Sequence, residues 1–82
     1  MRYIGDIPHP FIKISLFKMD NKYSLKMEMG MYEQTYKWRD IDGLQTPEHI
    51  SKIIDEEFLV SCITHFKEMQ QNFGATLKRN IP

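Results

Sequence analysis

Cys62 and His65 are the residues of this 82-residue chain best suited to chemistry by type and spacing. Three positions apart on a helix, they would project from one face, close enough for a single metal ion, with Glu68 three positions further on. A closed metal site takes about four ligands, and no second Cys-x-x-Cys or His-x3-His element supplies the remainder. Cys62 also falls in the middle of an apolar stripe, where a thiol behaves as a small buried hydrophobe, and His65 lies at the edge of that stripe. Core packing is the preferred account of the pair, so no metal and no cofactor is assigned.

Nucleophilic catalysis would require Cys62 to be paired with His9, His49 or His65 and an orienting carboxylate. A thiol under Phe58 and Phe66 would be harder to ionise, and His65 on the same helix would lie beside the sulfur without pointing at it. Asp55, Glu56 and Glu57 could form a carboxylate cluster for acid–base work, but acids at a helix start answer the helix dipole. The four glycines, Gly5, Gly30, Gly43 and Gly74, are too scattered to cradle a phosphate. His9, between Pro8 and Pro10, reads as part of an extended lead-in. These observations favour a non-enzymatic protein.

Lys26, Lys37 and Arg39, interleaved with Tyr32, Tyr36 and Trp38, are candidates for nucleic-acid binding, because rings stack bases while cations meet phosphates. The charge balance argues against it. The chain has 11 basic and 11 acidic residues, with 7 and 5 in residues 1–40 and 4 and 6 in the remainder. A nucleic-acid binder usually carries a pronounced basic patch.

The elements that would position these residues follow from periodicity. "FIKISLFKM" alternates as a strand near 11–19, with Ile12, Ile14 and Leu16 on one face. In "KMEMGMYEQTYKW" the apolar positions change parity, Met27 and Met29 being odd-numbered and Tyr32, Tyr36 and Trp38 even. A two-residue loop at Gly30-Met31 accounts for the change. Facing residues then pair Met29 with Tyr32, Met27 with Gln34, Leu25 with Tyr36 and Tyr23 with Trp38, all on one face. Strands are therefore expected near 22–29 and 32–39. A turn at Asp20-Asn21 would bring the first strand alongside, with Leu16 beside Leu25 and Ile14 beside Met27. A three-residue loop there would reverse the faces.

Thr46, Pro47 and Glu48 form a helix start, as do Asp55, Glu56 and Glu57. The stripe of Ile50, Ile53 and Ile54 points away from that of Phe58, Cys62, Phe66, Met69 and Phe73. Two helices are expected, near 47–54 and 56–72, the second stopped by Gly74. The predicted architecture is a single α+β domain over 1–82. It comprises a three-stranded antiparallel meander with both helices on one face, an extended lead-in over 1–10 and a short frayed tail over 75–82.

Surplus apolar side chains, Phe17, Met19 and Val60, have no evident partner within such a unit and are the candidate interface contacts. A small core gains stability by association, and symmetric homodimers are the commonest outcome. The single cysteine rules out an intrachain disulfide and suits a reducing compartment. No basic start with an apolar run follows Met1, and no stretch approaches the ~20 apolar residues of a membrane span. The expectation is a small cytoplasmic interaction or assembly module acting as a homodimer. The alternatives are a nucleic-acid-binding module using a cationic sheet face, and a metal- or thiol-dependent enzyme. The motifs are generic devices and point to no particular family.

Overall fold

A computed structural model describes residues 1–40 and 43–81. Four strands, β1 (Arg2–Ile7), β2 (Lys13–Met19), β3 (Lys22–Met29) and β4 (Tyr32–Arg39), form one antiparallel sheet in chain order. Helices α1 (Pro47–Ile53) and α2 (Glu56–Asn80) pack on one face, α1 against β1 and α2 against β4. The architecture is α+β, with a meander of four strands where three were expected.

The hairpin registers follow the parity of the sequence. Met29 faces Tyr32, Met27 faces Gln34, Leu25 faces Tyr36 and Tyr23 faces Trp38. Gly30 sits at φ 63°, and Asp20 is the one positive-φ non-glycine residue among those described. Left-handed φ at the first loop position alone is the type II′ pattern. A β-branched residue there would meet its own carbonyl, so Gly30→Val should lower stability by about 1–2 kcal/mol, read by urea unfolding. The Asp20-Asn21 turn likewise sets Leu16 beside Leu25 and Ile14 beside Met27.

The additional strand lies within the predicted lead-in. Residues 2–7 conceal it because Ile4 and Ile7 are three apart, a spacing that strict alternation would send to opposite faces. The β1–β2 register shifts between Tyr3 and Gly5, and this bulge lets both isoleucines reach the core. Pro8, with no N–H to donate, follows the strand directly. Tyr3 is left on the outer face, its ring edge-on to Phe17 at 5.8 Å between centroids. Ser15, buried on that face, donates to Asp6 Oδ1 at 3.1 Å.

Both helix starts are capped as their residues require. Thr46 Oγ1 accepts from His49 N at 3.1 Å, and Asp55 Oδ1 accepts from Phe58 N at 2.8 Å. The break between them at Ile54 and Asp55 lets each apolar stripe face the same core. Ile7, Ile12, Ile14, Leu16, Tyr23, Leu25 and Met27 from the sheet side meet Ile50, Cys62 and Phe66 from the helices.

The predicted stop at Gly74 is not taken, and the predicted frayed tail is helical as far as Asn80. Glycine in a helix interior costs about 1 kcal/mol relative to alanine. The residues that follow offset this, because Ala75, Leu77, Lys78 and Arg79 are strong helix formers and the two cations lie at the negative helix end. Asn80 Nδ2 also donates to the carbonyl of Thr76 at 2.8 Å. With 25 residues α2 is about 37 Å long. It outruns the sheet, so the molecule measures 50 × 27 × 17 Å with a radius of gyration of 14.9 Å. A compact chain of this length would have about 12 Å. No described helix is long and apolar enough to cross a membrane.

Candidate functional site

The catalytic and metal candidates are dispersed by the fold. Cys62 is 1% exposed, with its sulfur 3.8 Å from Tyr36 Oη, and its backbone carbonyl accepts from Gln34 Nε2 at 2.8 Å. His65, on the same helix, is exposed to solvent. Among the described residues no group of three or more His, Cys, Asp or Glu side chains could hold a metal ion. Burial pushes the Cys62 thiol up, and the hydrogen bond with Tyr36 acts in the opposite direction more weakly. Tyr36 is itself raised, first by burial and then by its contact with Cys62. Native-state alkylation of Cys62 should therefore be at least about a hundredfold slower than in denaturant, because attack requires both ionisation and local opening.

The other two histidines serve the backbone. His9 Nδ1 accepts from the N–H groups of Phe11 and Ile12, each at 3.1 Å, which ties the "PHP" segment into a turn. His49 Nδ1 accepts from Gln45 N at 3.2 Å ahead of α1. Asp55, of the acidic trio, is the α2 cap.

Lys26, Lys37 and Arg39 lie on the outer sheet face, away from both helices. Lys26 is held between Glu28 at 3.7 Å and Glu33 at 3.4 Å. Lys37 and Arg39 belong to two rows across the sheet, Tyr3–Phe17–Ser24–Lys37 and Met19–Lys22–Arg39. Neither row contains an acid, so one end of this open face combines three cations with a pair of rings. The expected companions of the cations, Tyr32, Tyr36 and Trp38, point to the helix side. There Trp38 stacks on Tyr23 and donates Nε1–H to the carbonyl of Leu44 at 3.2 Å. Lys22 could have been placed from its facing position across the hairpin. Tyr3 could not, since its strand is hidden by the bulge.

The predicted contacts Phe17, Met19 and Val60 are not brought together. Phe17 is half-buried beside Tyr3 and Met19 is exposed on the same face, whereas Val60 is exposed on α2 in the opposite layer. The largest apolar exposure lies elsewhere. α2 runs antiparallel to β4, with Phe58 against Tyr36, Cys62 against Gln34 and Tyr36, and Phe66 and Phe73 near the hairpin tip. At the tip Met31 is 97% exposed and Phe73 55%, with Leu77 further along the overhang. Met29, Met31, Tyr32, Phe66, Gln70 and Phe73 line an open groove of about 580 Å³ there. A second groove, of about 230 Å³, lies at the α1–α2 corner among Trp38, Leu44, Ile50, Ile53, Ile54 and Phe58. Both grooves are lined almost wholly by apolar and aromatic side chains.

Comparison with family models, curated proteins and solved structures finds no match to this chain.

Proposed function

We propose that this protein is a non-enzymatic interaction module that works as a homodimer, with the reducing cytoplasm as the setting that suits its lone thiol. The observation that carries the reading is the overhang of α2. Its apolar stripe passes from Phe66, which is buried, to Phe73, which shares the hairpin-tip groove with Met31, and on to Leu77 and Ile81, all three exposed. A small domain that orders a ~37 Å helix and leaves its stripe in water gains by covering it. Sedimentation equilibrium across a dilution series should give about twice the 9.8 kDa chain mass at micromolar concentration. A mass of one chain throughout would overturn the reading.

A second reading is favoured by one observation, the ring pair Tyr3–Phe17 sharing the open face with Lys22, Lys37 and Arg39, with the Asp6 carboxylate beside Tyr3 as the nearest acid. That combination suits a single nucleic-acid strand, although the overall charge is zero. Fluorescence anisotropy with labelled oligonucleotides in a salt titration tests it, and binding without a salt slope, or no binding, removes it.

A further inference from the structure

The two edges of the sheet are unlike each other. β1 is short, bulged at Ile4 and followed by Pro8, features that discourage another strand from pairing with it. β4 has eight residues, no proline, no bulge against β3 and, among the described residues, no backbone partner on its outer side. Exposed edges of that kind recruit strands. The geometry points to β4 as the homodimer interface, pairing antiparallel with β4 of a second copy to make one continuous eight-stranded sheet. This inference rests on the homodimer reading and names its surface.

The register follows from the ladder. The two-residue loop closes on the hydrogen-bonded pair Met29–Tyr32, and bonding then alternates along the hairpin. Alternation turns the N–H and C=O groups of Glu33, Thr35 and Lys37 outward, away from β3. A two-fold axis at Thr35 sets Thr35 opposite its counterpart, Glu33 opposite the second copy's Lys37, and Lys37 opposite its Glu33. These pairs would add on the order of six backbone hydrogen bonds. They also form two opposite-charge pairs on one face, whereas the same residues meeting in parallel would oppose like to like. On the helix face Tyr32 would meet Trp38.

The same axis accounts for the overhang. Because α2 runs antiparallel to β4 and passes the hairpin tip, its Phe73 and Leu77 would lie over the Arg39 end of the second copy. That is the side of its α1–α2 corner, where Ile53 is exposed. Charge complementarity along β4 and apolar complementarity beyond it select the same occupant, another copy of this chain.

Three variants test the edge by sedimentation equilibrium alongside the unaltered protein. Thr35→Pro removes an outward N–H, a change an edge strand tolerates, and should give a folded monomer with an unchanged far-ultraviolet spectrum. Glu33→Lys places lysine against lysine twice and should weaken association about tenfold or more. Adding Lys37→Glu to it recreates both pairs with their signs exchanged and should restore association to within about threefold. A monomeric unaltered protein would remove the homodimer reading and this inference together. A dimer that survives Thr35→Pro and Glu33→Lys would remove the edge alone and leave the reading standing. Should Thr35→Pro not fold, the charge exchange decides, and failure of Lys37→Glu to rescue counts against the register.

Discussion

Phe66→Ala is expected to lower the unfolding free energy by about 3–5 kcal/mol, the usual consequence of removing a buried ring from a closed core. Phe66 is 1% exposed and is the largest of the fully buried side chains. It occupies the point where α2 passes over the sheet among Ile14, Leu16 and Met27, which are themselves almost inaccessible. Both layers are built on regular secondary structure, so they can collapse into the vacancy only partially. A domain of this size has about 4–12 kcal/mol of stability in total, which places the variant near the limit of folding. Urea unfolding followed by Trp38 fluorescence measures the loss, and Phe66→Leu should recover most of it by refilling the volume. A loss below about 1 kcal/mol for the alanine variant would mean that α2 does not seat as described.

Gly5→Val should cost about 2–3 kcal/mol through overpacking. Gly5 lies on the helix side of β1 opposite Leu16, and a Cβ built there would sit 2.9 Å from Cγ of Pro47. Proline is a ring fixed at the first position of α1 and cannot swing aside as a flexible side chain would. The larger residue must therefore lift α1 from β1 or open the bulge. Hydrogen exchange distinguishes this local cause from a general loss of stability. Amides of β1 and α1 should lose protection preferentially, while those of the β3–β4 hairpin change only with global stability. Uniform loss across all four strands would contradict the account.

Much of the architecture is legible in the sequence. The Gly30-Met31 loop, the pairing of β3 with β4, and the caps at Thr46 and Asp55 are local matters, while the structure decides between the two registers open to β2. Each depends on a turn residue, an alternation or a hydrogen bond within a few positions. Tertiary context entered where a local rule was broken. Residues 2–7 lack a clean period of two because a bulge realigns Ile4 and Ile7, and a bulge shows itself only once a neighbouring strand supplies the reference register. Gly74 resembles a helix stop by type, yet the helix formers and terminal cations after it carry α2 onward. The cationic candidates were separable by face from sequence. That Lys26 is tied to Glu28 and Glu33 while Lys22, Lys37 and Arg39 share rows free of acids depends on four strands lying side by side.

The division between the two levels has a simple physical basis. Alternation, capping and turn chemistry act over one to five residues, so the amino-acid order alone determined the Gly30 hairpin, its inward face and the helix starts, whereas the face that β2 turns inward waited on the length of the Asp20-Asn21 turn. Which edge remains open, how far α2 outruns the sheet, and whether Phe17, Met19 and Val60 share a surface are long-range relations between finished elements. Only packing decided them, because the burial of each apolar side chain depends on which other elements have room to cover it.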